Sequence, residues 1–93
     1  MTELTPDNAG RLARLKFRAW HRGTREADYM IGCFFDKFHA EWSDEEIDMF
    51  ERMIEEEDVD IMAWALGTQS IPEEYQGPML TRMMQLDYVD IPR

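Results

Sequence analysis

Thr24-Arg25-Glu26-Ala27-Asp28-Tyr29-Met30-Ile31-Gly32-Cys33-Phe34-Phe35-Asp36-Lys37-Phe38 is the stretch that decides the fold. Its apolar residues Ala27, Met30, Ile31, Phe34, Phe35 and Phe38 recur every three or four positions, and the stripe continues to Trp42. That period belongs to a helix with one wide buried face. Thr24 is placed to cap it, and Glu26 sits early, where a negative charge suits the helix dipole. Downstream, Ser43-Asp44-Glu45-Glu46 reads as a capping box opening a third helix with Ile47, Phe50, Met53 and Ile54 inward. Upstream, Thr5-Pro6-Asp7 supplies a cap, a first-position proline and a first-turn acid. From there a helix is predicted to Trp20 or His21, with Gly23 ending it. Asp58 is predicted to cap a short helix from Val59 to Leu66, stopped by Gly67. A last helix over Pro78 to Leu86 carries Met79, Leu80, Met83 and Leu86. No alternating strand pattern and no internal repeat is visible. The expectation is an all-α chain, 1–93 forming a single helical domain of about five helices, with 1–5 and 87–93 as flexible termini.

Composition narrows the function classes. Ninety-three residues, 44% of them hydrophobic and 12% aromatic, exclude a disordered acidic tail, which lacks the apolar area to offset chain entropy. One cysteine forms no internal disulfide, which favours a reducing compartment. No run of about 18 apolar residues is present to insert into a membrane. Met1 to Pro6 lacks the basic and apolar blocks of a secretory signal. A soluble, intracellular chain is expected. The net charge of −10 argues against nucleic acid as a partner, because that affinity rests on Lys and Arg neutralising phosphates. The charge is uneven: residues 1–25 are net +4 and residues 26–93 net −14, which predicts an electrically two-ended molecule.

Catalysis finds no foothold. His21 and His39 are not spaced with Cys33 as metal ligands, and the run Glu55-Glu56-Glu57-Asp58 lacks the pattern of a calcium loop. Cys33 lies within the apolar run Ile31 to Phe35 and reads as packing rather than a nucleophile. There is no nucleophile elbow and no phosphate-cradling glycine loop. No catalytic residue, no metal site and no tightly bound cofactor is expected, so the chain reads as a binding protein rather than an enzyme.

The most unusual segment is His21-Arg22-Gly23-Thr24-Arg25-Glu26-Ala27-Asp28, where charges crowd a turn whose glycine leaves the backbone open to close approach. It supports two readings. One is a well-capped turn with a surface ion pair between Arg22 and Glu26, worth under about 1 kcal/mol. The other is a surface that a partner grips.

Arg22-Gly23-x-x-Glu26 followed by Asp28 resembles the signature of the SdhE family, bacterial relatives of mitochondrial succinate dehydrogenase assembly factor 2. Phe50-x-x-Met53-Ile54-Glu55-x-x-Asp58-x-Asp60-x-x-x-Trp64 is similar to a second stretch of that family. The resemblance spans about residues 11–67. His21 stands where many members carry a second arginine, Thr24 where a larger apolar residue is common, and Met53-Ile54 where two leucines are usual. The resemblance implies a cytoplasmic, bacterial assembly factor that binds the flavoprotein subunit of succinate dehydrogenase and promotes covalent attachment of FAD to it. Fumarate reductase is implied as a second client. Carried over residue by residue, Arg22, Gly23 and Glu26 are the partner-binding residues, with Arg25 and Asp28 in support. Asp58, Asp60 and Trp64 match the second pattern, Trp64 being equally open to a core role. An antitoxin-like or regulatory binding module is the alternative the same relatives suggest.

Overall fold

A computed structural model describes residues 6–89. It contains five α-helices: α1 (Pro6–Trp20), α2 (Arg25–Phe38), α3 (Asp44–Met53), α4 (Asp58–Leu66) and α5 (Pro78–Met83). Two short 3-10 turns, His39–Glu41 and Glu73–Tyr75, join α2 to α3 and α4 to α5. No strand occurs among the described residues, and the all-α expectation holds. Thr5, read as the cap of α1, lies outside them.

Local signals account for most boundaries. The Thr24 hydroxyl accepts from the Ala27 backbone N–H at 3.2 Å and starts α2. Ser43 and Glu46 form the reciprocal capping box of α3, at 3.2 and 2.8 Å. Gly67, at φ +78, closes α4 in the left-handed conformation that glycine adopts without a Cβ clash.

Three expectations need correction. The stripe running to Trp42 is not one helix: the chain leaves α2 at Phe38, and a 3-10 turn swings Trp42 back, its N–H donating to His39 O at 3.1 Å. Asp58 is not a cap. Glu57 holds the capping position without a side-chain bond, and Asp58 is the first helical residue, its carboxylate already engaged by Arg22. The last helix ends at Met83, not Leu86. Tighter bonds from Gln85 to Arg82 and from Leu86 to Met83 follow it, and Leu86 itself turns left-handed at φ +58.

The core is aromatic and centred on α2. Phe34 and Phe35 are buried, and around them pack Phe50, Trp42 and Tyr88, with ring centroids 4.9–6.4 Å apart. Tyr88 falls within the stretch read as a terminal tail, yet it is fully packed against Phe34 and Phe38. Trp64 is 2% exposed and tilts against Tyr75, which assigns it to the core. Gly32 permits the close approach of α1 and α2: a Cβ there would stand 2.3 Å from Trp20 Cδ2. The indole is held in place by a bond from its Nε1 to Asp36 Oδ2 at 3.2 Å and by edge contact with Tyr29. Gly32→Ala should therefore displace Trp20 and destabilise the fold by about 1–3 kcal/mol, the usual range for overpacking. Denaturant melts of the variant followed by Trp fluorescence check this.

Burial also fixes a pH limit. Burial and the hydrogen bond that Tyr75 donates to Glu56, 2.7 Å long, push the Tyr75 phenol up to about 12. Burial raises Tyr88 as well. A raised phenol means that the native state favours the protonated form. Its stabilising contribution is complete below the unfolded value near 10 and is lost as pH climbs from there through about 12. Melting temperature should thus fall steeply above about pH 10, and Tyr75→Phe should flatten part of that fall in a thermal melt series.

Candidate partner-binding site

The predicted two-ended charge distribution is largely cancelled in space. Cations of α1 reach across to acids of α2, α3 and the α3–α4 turn: Arg11 to Asp48 and Glu51, Lys16 to Asp36, Arg18 to Glu55. These pairs are mostly exposed and each contributes little. Arg22 differs.

Arg22 follows the end of α1 and turns inward, its side chain only 10% exposed. Its Nε donates to Asp58 Oδ1 at 2.8 Å, and its Nη2 donates to the Ile54 carbonyl at 2.8 Å. Nη1 reaches Arg18 O at 3.3 Å. Ile54 and Arg18 lie at the ends of α3 and α1, where carbonyls lack helical partners and the dipole favours a cation. One guanidinium thus ties the ends of α1 and α3 to the start of α4. The Arg22–Glu26 ion pair is not formed, because Asp58 and the carbonyls occupy the guanidinium. Asp28 secures the same turn from the other side by accepting the Arg22 backbone N–H at 2.6 Å.

With the turn fixed, its other residues face outward. Gly23 adopts φ +114, and a Cβ there would meet nothing within 4 Å. Arg25 and Glu26 are exposed and enter none of the ion pairs among the described residues. Gly23, Thr24, Arg25 and Asp28 line an open groove of about 560 Å³ with Trp20 and His21. Trp20 and His21 are also shared with an adjoining groove of about 460 Å³ that includes Ala13, Lys16 and Phe17. There Phe17, 61% exposed, stacks on His21 at 4.0 Å between centroids, and His21 Nδ1 donates to Phe17 O at 2.6 Å.

The turn therefore brings Gly23, Arg25 and Asp28 to one groove, leaves Glu26 exposed but outside that groove's lining, and commits Arg22 to holding it. Asp58 joins from α4 through Arg22; Asp60 is half-buried in the first turn of α4 without a place in the groove, and Trp64 is internal. The sequence reading missed the Phe17–His21 platform. Its signal was phase: Leu12, Leu15 and Ala19 define the inward face of α1, and Phe17 falls off it. Among the described residues no group of three or more His, Cys, Asp or Glu is arranged to hold a metal ion. No helix among them is long and apolar enough to cross a membrane. What this surface offers is an exposed backbone, a charged rim and an aromatic ledge, which is the equipment of protein recognition.

Comparison with known proteins gives a consistent result. Residues 13–87 match the Sdh5 family model, described as flavinator of succinate dehydrogenase. The FAD assembly factor SdhE of Acetobacter pasteurianus is 42% identical over 77 residues, covering 83% of this chain and 71% of that protein. The FAD assembly factor SdhE of Shewanella oneidensis is 34% identical over 73 residues, covering 78% and 83% respectively. The mitochondrial succinate dehydrogenase assembly factor 2 of Scheffersomyces stipitis is 30% identical over 78 residues, 81% of this chain but 52% of that protein. The chain thus spans about half the length of this mitochondrial relative. No solved structure gives a significant match. With the family model covering both the fixed turn and the core around Trp64, the chain belongs to the SdhE family of succinate dehydrogenase flavinators.

Proposed function

We propose that this protein binds the flavoprotein subunit of succinate dehydrogenase through the α1–α2 turn and promotes covalent attachment of FAD to that client. The observation that carries the reading is Gly23: a bare, positive-φ backbone in open space, flanked by exposed Arg25 and Glu26, on a turn that Arg22 and Asp28 hold rigid. A prefixed turn loses little entropy on binding, so its contacts convert efficiently into affinity. The factor acts in the cytoplasm without catalysing the reaction: it holds the client in a state competent for its own flavinylation and keeps no FAD tightly bound. Fumarate reductase is a second client by the same reading.

The test is in-gel flavin fluorescence of the client flavoprotein produced with and without this protein. Client fluorescence that is the same in both cases would discard the proposal. Glu26→Ala separates recognition from folding. Glu26 is exposed, so the melting temperature should barely move. A partner that desolvates the carboxylate against its own cation should lose about 2–5 kcal/mol of binding. Titration calorimetry with the purified client measures it.

A further inference from the structure

α4 departs from the pattern of the other long helices. Its sequence, Asp-Val-Asp-Ile-Met-Ala-Trp-Ala-Leu, is apolar nearly all round, although only one side is covered. Ile61, Trp64 and Ala65 are buried. Val59, in contrast, is 74% exposed and Leu66 54% exposed. At about 100° per residue, Val59, Met62, Ala63 and Leu66 fall on one strip, opposite the buried three. Met62 and Ala63 are half-exposed within it. Beyond Leu66 the exposed Met84 continues this surface, its methyl group lying beside Gly67. A helix that is apolar on both sides and covered on one has an unpartnered face.

Charge restricts what covers it. Of the acids around it, Asp58 is paired with Arg22 and Glu55 with Arg18, but Asp60, about 100° round the helix from Val59, and the exposed Glu57 just before the helix enter none of the ion pairs among the described residues. A second copy would place these acids against their equivalents in a chain that is already net −10. An anionic membrane surface would meet the same repulsion. The complement is an apolar stripe flanked by Lys or Arg, the form of a helix-in-groove ligand. Location narrows it further. The strip begins one residue from Asp58, which is bonded to Arg22 beneath the α1–α2 turn. A client seated on that turn is within reach of α4.

We infer that the docking surface extends along α4, where Val59, Met62, Ala63 and Leu66 receive a basic amphipathic segment of the same flavoprotein client that the turn engages. This rests on the function proposed above. It assigns a second contact region, chosen for the opposite chemistry: apolar at the centre and acidic at the rim.

The experiment uses the full chain and the purified client subunit. Val59→Gln/Leu66→Gln removes the apolar strip with good helix formers at exposed positions, and circular dichroism should show an unchanged fold. Client affinity by calorimetry should fall about tenfold or more. Val59→Lys supplies a second variant that keeps an aliphatic stem but reverses the local charge. It should weaken binding more at low salt than at high salt, because a basic segment is repelled. Wild-type affinity in the double Gln variant, with affinity lost in Gly23→Ala, would overturn the extension and leave the turn as the whole interface. A gain of affinity in Val59→Lys would point to an acidic partner and overturn it also. So would a wild-type dimer in light scattering that the double Gln variant dissolves. Absence of any client binding by the wild type would remove the functional proposal itself, and this inference with it.

Discussion

An Arg22→Ala protein is expected to lose about 2–4 kcal/mol of stability, more than any other single charge removal in this fold. The reason is accounting for partners, not charge alone. Arg22 satisfies Asp58 and the backbone carbonyls of Ile54 and Arg18 at once. Truncating it strands a carboxylate that is only 24% exposed and leaves buried acceptors without donors. The range sits below the cost of breaking a fully buried pair because water can reach part of Asp58. In a domain of this size each kcal/mol shifts the melting temperature by roughly 4–8 °C. The drop should therefore be at least about 8 °C, measured by circular dichroism at neutral pH. Arg22→Lys should recover little of it, since an ammonium cannot serve Asp58 and two carbonyls in fixed planar geometry. Asp58→Asn should lose less, because the amide oxygen still accepts from Nε. A melting temperature within 2–3 °C of wild type for Arg22→Ala, less than about 1 kcal/mol on the same scale, would show the tie to be ornamental. The turn would then owe its shape to Thr24 and Asp28.

The role of Arg22 marks the boundary of what local pattern reveals. Helix starts were legible because their causes are local: Thr24 bonds three residues ahead, and Ser43 and Glu46, three apart, bond each other. The stop at Gly67 was legible for the same reason. Arg22 finds its partners 32 and 36 residues away, and nothing in His21-Arg22-Gly23-Thr24 encodes that distance. Glu26, four residues on, was the obvious local partner, and tertiary contact overrode it. Asp58 was misread as a cap through the same blindness, since its side chain answers Arg22. Tyr88 was illegible because a single aromatic residue in an aperiodic stretch carries no phase. Phe17, Val59 and Leu66 are a different case. Each is a large apolar residue out of step with the buried face of its own helix, and that mismatch is present in the sequence once the inward face is known. The motif residues were legible as a group, but motif matching does not separate their tasks. Arg22 and Asp28 build the turn, while Gly23, Arg25 and Glu26 present it.

That division gives Gly23→Ala the largest expected functional effect. The backbone there is at φ +114, which an alanine adopts only under strain of about 1–3 kcal/mol. Nothing in the fold lies within 4 Å of the added methyl group, so no packing clash joins that strain. Domains of this kind carry about 5–15 kcal/mol of stability, and the variant should remain folded with a modestly lower melting temperature. Binding has no comparable margin. A partner backbone approaching the bare glycine would meet the methyl group where it expects open space, and close packing tolerates no such insertion. The expected result is a folded protein that no longer supports client flavinylation. Circular dichroism melting and in-gel flavin fluorescence, run on one preparation, read the two effects apart. Since Arg22 and Asp28 anchor the turn from beneath, the Ala variant should also keep the Arg22–Asp58 tie. Weakening that tie with Asp58→Asn should lower the melting temperatures of Gly23→Ala and wild type by equal amounts. Unequal shifts would mean that residue 23 transmits strain into the tie. Full flavinylation by the folded Ala variant would confine Gly23 to ending a helix, and the groove beside it would lose its claim to the client.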